Sequence, residues 1–210
     1  MQADVFRAWI TAAASVIEEQ RDHLTQLDAA IGDADHGINL SRGFTAVLSA
    51  IETAGPATPG AILTLTGSTL ISKVGGASGP LYGMAFRSAG KALGEAADVD
   101  LAGLATALAA ALAGVQRLGA AREGDKTMVD ALAPATGAFS KAVAEGAPDA
   151  DALAALVDAA QAGAVATIPM QAHKGRASYL GPRSVGHEDP GAASTALILA
   201  ALRDAALAGP

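Results

Sequence analysis

Apolar residues recur along the chain at intervals of three and four, the spacing that lines one face of an α-helix. Phe6, Ile10, Ala13 and Ile17 set this rhythm at the start. Clusters of Gly, Pro, Asp and Ser interrupt it and divide the chain into eight predicted helical segments. These cover about Asp4–Thr25, Gly37–Ile51, Thr58–Lys73, Gly79–Ala96, Asp100–Arg117, Asp125–Glu145, Pro148–Thr167 and Pro190–Leu207. Thr58-Pro59 reads as an N-cap with proline at the first helical position. No repeat, charge block or linker divides the sequence, so residues 1–210 are expected to form a single domain.

The connections alternate in character. Those around Gly55-Pro56, Asp98 and Gly146-Ala147-Pro148 are short and chemically plain. Those at Leu27–His36, Val74–Ser78, Leu118–Gly124 and Ile168–Asp189 hold or adjoin almost all the unusual chemistry. Short connections favour antiparallel neighbours, so alternate loops fall at the same end of an up-and-down bundle. The four rich loops then share one face with the N-termini of the second, fourth, sixth and eighth segments. Free N–H groups and helix dipoles at those termini attract anions, phosphate in particular.

Composition narrows the class. The chain has 210 residues, 51% of them hydrophobic but only 3% aromatic. Alanine supplies much of the apolar fraction and favours closely packed helices, and β-branched and aromatic residues are too sparse for many strands. The expected fold is all-α. A net charge of −7 argues against nucleic acid as a partner. Without cysteine there are no disulfides, thiolate metal sites or cysteine nucleophiles. The longest apolar run, Leu101–Val115, is short for a membrane span and rich in Ala and Gly. Arg7 followed by Ala8–Ile17 has a faint signal-peptide look, but Asp4 and the helical periodicity oppose it. A soluble cytoplasmic protein that does not span a membrane is expected.

Asp28, Asp33 and Asp35 lie within eight residues, with His36 and Asn39 beside them. A single Asp would read as a turn or cap residue. Three carboxylates together suit magnesium, which takes one or two of them plus phosphate oxygens. A calcium loop beginning at Asp33 fails, because Ile38 holds the glycine position and Phe44 the closing glutamate position. Gly75-Gly76-Ala77-Ser78-Gly79 reads either as a helix–helix turn or as a backbone cradle for phosphate. It lacks the Gly-Lys-Ser/Thr of a Walker loop and the preceding strand of a dinucleotide fold.

Gly124-Asp125-Lys126-Thr127-Met128 opens the sixth segment, with Asp125 as a candidate N-cap and Met128 able to line an apolar base pocket. The irregular stretch Lys174–Gly191 is long enough to be functional, and Tyr179, Leu180 and Val185 give it apolar anchors. Its Lys174, Arg176 and Arg183 suit phosphate, with solvated surface charge as the plain alternative. Asp189-Pro190-Gly191 could be an ordinary helix start. His23 reads as a surface or packing residue, His173 has no evident partner, and His36 reads as a ligand contact rather than a phospho-acceptor.

Taken together, GDADHGIN, GGASGPLYG, GDKTMVD and KGRASYLGPRSVGHEDPGA resemble, in that order, the nucleotide-binding L subunit family of bacterial dihydroxyacetone kinases. The resemblance implies an eight-helix antiparallel up-and-down barrel with adenine nucleotide, ADP or ATP, and two Mg2+ ions at one end. It makes Asp28, Asp33 and Asp35 the metal ligands. It places His36, Gly37, Ile38, Asn39, Ala77 and Ser78 around the phosphates. Gly119, Met128, Arg176, Asp189, Pro190 and Gly191 would contact the rest of the nucleotide, with Arg176 stabilising charge on the transferred group.

The resemblance also implies partners. Dihydroxyacetone would sit on a separate K subunit, and a phosphotransferase-system M subunit would rephosphorylate ADP held as a coenzyme. A homodimer is also compatible with it. A chain of this length favours the coenzyme mode over an ATP-dependent triose or tetrose kinase, such as one acting on erythrulose. A non-catalytic nucleotide-sensing module is the alternative from another class.

Overall fold

The structure is a computed structural model that describes Met1–Gly209. All regular structure among the described residues is helical. The α-helices are α1 (Ala3–Glu19), α2 (Arg21–Ile31), α3 (His36–Ala54), α4 (Pro59–Lys73), α5 (Ser78–Leu93), α6 (Leu101–Gly119), α7 (Val129–Ala144), α8 (Asp149–Ala166) and α9 (Pro190–Ala208). A 3-10 segment, Arg176–Ser184, lies between α8 and α9 and is kinked at Gly181. Neighbours in sequence pack together from α3 through to α9, and α1 contacts both α9 and α3, closing the ring.

All eight expected segments are present, with corrections at their ends. The first is divided at Gln20 into α1 and α2. The helix α2 runs on to Ile31, so Asp28 sits on a helix and not in a loop. Asp35 occupies the N-cap position of α3. The helix expected to open at Asp125 begins instead at Val129. Thr58 and Asp100 cap α4 and α6 by accepting hydrogen bonds from the amides of Ala61 (3.2 Å) and Gly103 (2.7 Å).

Most helices contribute to one hydrophobic cluster inside the ring. The few aromatics are concentrated there: Trp9 lies 5.6 Å from Phe86 and 6.1 Å from Phe6, and Phe86 lies 6.3 Å from Phe44, ring centre to centre. The Trp9 indole N–H donates to the Ile198 carbonyl at 2.9 Å, joining α1 to α9. By length and hydropathy alone α6 and α9 could cross a membrane. In the fold both line the core, and α9 also buries Ser194 and Thr195 beside polar partners.

Small residues set the helix spacing. A Cβ on Gly60 would lie 2.1 Å from the Gly94 carbonyl oxygen, and one on Gly67 would lie 2.4 Å from that of Gly83. The backbones of α4 and α5 therefore touch, which any side chain at these positions would prevent. Between α7 and α8, a Cβ on Gly163 would come within 2.1 Å of the Asp130 carbonyl oxygen. Pro134, four residues after Asp130, has no N–H to offer that carbonyl, yet α7 continues through it.

These contacts separate two kinds of glycine. Gly67→Val is expected to destabilise the fold by about 1–3 kcal/mol through overpacking. Gly137 lies inside α7, and a Cβ there would meet nothing within 4 Å, so Gly137→Ala should stabilise by about 0.5–1 kcal/mol. Urea denaturation of both variants checks the contrast; equal effects would contradict the α4–α5 packing.

Candidate functional site

The site begins at the end of α2. One oxygen of Asp28 accepts the backbone N–H groups of Asp35 (2.8 Å) and His36 (3.2 Å), bending the chain back toward the helix it has just left. The other lies against Gly32, where a Cβ would stand 2.0 Å away. Gly32 thus keeps that carboxylate oxygen clear. Ala34, between the other two aspartates, takes the left-handed backbone conformation at φ 62°, which is uncommon for a residue with a Cβ. Together these features place carboxylate oxygens of Asp28, Asp33 and Asp35 within 4.8 Å of one another.

Such a group is all hard oxygen, partly accessible, and short of positive charge. The donors suit a magnesium-type ion that keeps open positions for other oxygen ligands. Arg176 supplies one compensating charge, its Nε lying 3.0 Å from Asp33 Oδ2. The residue next to it, Ala177, packs with Ile31 and Ala172 in a small apolar cluster that holds the 3-10 segment against the end of α2.

The carboxylates open onto a cavity of about 400 Å³, within the range of small-ligand sites. Its walls come from the beginnings of α3, α5 and α9 and from the turn leading into α7. The first turn of α5 has no side-chain cap, so its amides are available to an anion. Ser78 lies in that turn, with Ala77 immediately before it, and both line the cavity. Much of the remaining lining is apolar, including Leu81, Val115, Leu118 and Met128 with Gly119 and Ala121. The cavity therefore offers both charged groups and apolar surface.

A family pattern described as the DAK2 domain matches residues 30–204. The chain belongs to the DAK2 domain family. It is 41% identical over 198 residues to the PEP-dependent dihydroxyacetone kinase, ADP-binding subunit DhaL, of Escherichia coli, covering 94% of each chain. It is 40% identical over 194 residues to the corresponding subunit of PEP-dependent dihydroxyacetone kinase 1 from Listeria innocua, covering 92% of each. Among solved structures, it resembles the dihydroxyacetone kinase from C. freundii in complex with AMP-PNP and Mg2+ (TM-score 0.71, 29% identity). That match covers 94% of this chain and spans about a third of the other.

Around the DAK2 cavity lies a shell of buried polar groups. His36 Nε2 is 2.8 Å from Ser194 Oγ, which is 2.7 Å from the Tyr82 hydroxyl. Tyr82 also donates to the Gly191 carbonyl at 2.9 Å. This network ties the starts of α3 and α9 to α5. Burial holds the His36 imidazole down to about 4, against the opposing pull of Asp28, so the ring is neutral at physiological pH. Asp189 caps α9 by accepting the Ala192 amide at 2.8 Å. Burial pushes its carboxyl up to about 7; Asp130 acts in the same direction, and the Ala192 amide and Lys126 oppose it.

The structure gathers most of the residues that the motifs single out. Asp28, Asp33, Asp35, His36, Ala77, Ser78, Gly119, Met128, Arg176, Asp189, Pro190 and Gly191 all line the cavity. Gly37, Ile38 and Asn39 do not. A Cβ on Gly37 would lie 2.0 Å from the Arg21 carbonyl oxygen, so this glycine lets α3 start close against α2. Ile38 is about half exposed, and Asn39 is buried with its Oδ1 accepting from Arg42 at 2.8 Å. Asp125 does not cap α7; its carboxylate accepts the Arg122 amide at 2.9 Å. The reverse turn is held by Asp130, which accepts from the amides of Gly124 (2.5 Å) and Thr127 (2.8 Å).

Sequence alone assigns no role to Tyr82, Lys126, Asp130 or Ser194. Tyr82, Lys126 and Asp130 lie inside recognisable motifs, but only the fold shows which atoms they meet.

The Asp189 environment fixes a sign. An unfolded Asp titrates near 3.8 and the folded one near 7, so the carboxyl must ionise in an unfavourable setting between those values. Stability therefore falls as pH rises through that window. Asp189→Asn, which retains a capping side chain, should gain stability relative to the parent from about pH 4 to about pH 7. Urea midpoints across the range check this; a constant gap contradicts it.

Proposed function

We propose that the chain is the ADP-binding subunit of a phosphoenolpyruvate-dependent dihydroxyacetone kinase, and that residues 1–210 form its single nucleotide-binding domain. One observation carries the reading: three clustered carboxylates, an uncapped helix N-terminus and Arg176 meet at one cavity whose remaining lining is largely apolar. Relatives at 41% and 40% identity, matched over more than 90% of both chains, support it. So does the likeness to a kinase structure holding AMP-PNP and Mg2+.

Asp28, Asp33 and Asp35 would hold two Mg2+ ions. Magnesium held there would supply positive charge to offset that of the phosphates. The α5 amides, Ser78 and Ala77 receive the phosphates, with His36 alongside. Arg176 sits where positive charge is needed by the group in transit. Met128, Gly119 and the Asp189-Pro190-Gly191 turn flank the nucleoside. Phosphoryl transfer requires alignment and charge neutralisation, so no side chain of this chain has to act as a general base.

Dihydroxyacetone would be held and activated by the separate K subunit, and a phosphotransferase-system M subunit would restore the bound nucleotide in the cytoplasm.

Calorimetry with ADP and Mg2+ tests the binding step. The parent is expected to bind and Asp33→Ala to lose Mg2+-dependent binding; undiminished affinity in the variant contradicts the metal assignment. Reconstitution with K and M subunits and phosphoenolpyruvate should yield dihydroxyacetone phosphate. Product formed from ATP without the M subunit would overturn the coenzyme role.

A further inference from the structure

The connection from α8 to α9 carries Arg176 near its middle and Asp189 at its end. Its two ends lie side by side. The Gly186 amide donates to the Ile168 carbonyl at 2.8 Å, and the Asp189 amide donates to Thr167 Oγ1 at 2.9 Å. Midway, Ser184 Oγ accepts the Ala172 amide at 2.9 Å. This folding points the carbonyls of Thr167, Met170 and His187 at a common point, where their partial negative charges have to be met.

Lys126 meets them. Its side chain is only 1% exposed, and its ammonium donates to Thr167 (2.8 Å), Met170 (3.2 Å) and His187. An ammonium has three protons, so its capacity is fully used. Lys126 is therefore a poor candidate for a phosphate ligand, although the residue is among those that line the cavity. Its backbone sits at φ 62°, a conformation that costs energy for a non-glycine residue and persists where surrounding contacts enforce it. Asp189 acts on it electrostatically, without a direct ion pair between the two.

We propose that Lys126 is a positioning residue that clamps both ends of the 167–189 connection, fixing Arg176 and Asp189 in the wall of the cavity. This inference rests on the nucleotide reading for its consequence, though the clamp itself does not. Burial lowers the Lys126 pKa and Asp189 offsets part of that; the three carbonyl acceptors match the three protons of an ammonium.

Two measurements test it. Without nucleotide, Lys126→Met should accelerate hydrogen exchange at the Gly186 and Asp189 amides while the amides of α1 to α5 keep their protection. With ADP and Mg2+, it should weaken binding by about tenfold or more. Arg176→Ala, which weakens binding in the parent, should then have little further effect in the Lys126→Met background. A general loss of stability would instead leave the two effects additive.

Unchanged exchange at Gly186 and Asp189, or additive effects on ADP affinity, would overturn the proposal. If Lys126→Met does not fold, Lys126→Arg decides: its planar group reaches fewer of the carbonyls, so the same two amides should exchange faster, and uniform loosening of all helices contradicts the clamp. A parent chain that binds no ADP contradicts the proposed function, while the exchange result still judges the clamp.

Discussion

Three carboxylate groups within 4.8 Å repel one another, and the fold has to contain that repulsion. It does so with backbone amides before side-chain cations. Asp28 takes two N–H groups from the first residues of the following turn, and Gly32 leaves its other oxygen clear. Arg176 reaches Asp33 from the opposite wall, anchored by the packing of its neighbour Ala177 on Ile31. What remains is an acidic cluster with unused oxygen ligands, set beside helix N-termini that favour anions. The two halves suit complementary groups, a divalent ion and a phosphate.

The architecture follows from delivering those helix starts to one place. A ring of helices with short connections at one end returns every second connection to the other end, where longer loops are tolerated. Close spacing keeps the ring compact, and the glycines between α4 and α5 and at Gly163 set that spacing through direct backbone contact. The alanine-rich composition serves the same end, since bulky side chains on every face would push the helix termini apart. The aromatic group formed by Phe6, Trp9, Phe44 and Phe86 fills the interior that remains.

Much of this was legible in the sequence because the signals were local. Gly, Pro and Asp punctuation marks the helix ends, and the alternation of plain and polar loops is enough to place the motifs on one face. The division at Gln20 was not legible, since no glycine or proline marks it. Nor was it legible that the missing side chain of Gly37 serves the approach of α3 to the Arg21 carbonyl, a relation between two helices that spacing cannot express. Asp125 and Asp130 were exchanged in importance for a similar reason: the second reaches backward to the amides of Gly124 and Thr127 only once α7 has begun. Lys126 sat in plain view within its motif, yet its three acceptors lie 41, 44 and 61 residues away.

The central claim is that the aspartates and the helix starts form one site, so that metal and phosphate are held together. Manganese can replace magnesium, and its electron-spin resonance reports phosphorus nuclei close to the ion. In the presence of ADP, Mn2+ bound to the chain should show phosphorus hyperfine couplings that disappear in the Asp33→Ala variant. Mn2+ bound at the aspartates with no phosphorus coupling would contradict the shared site.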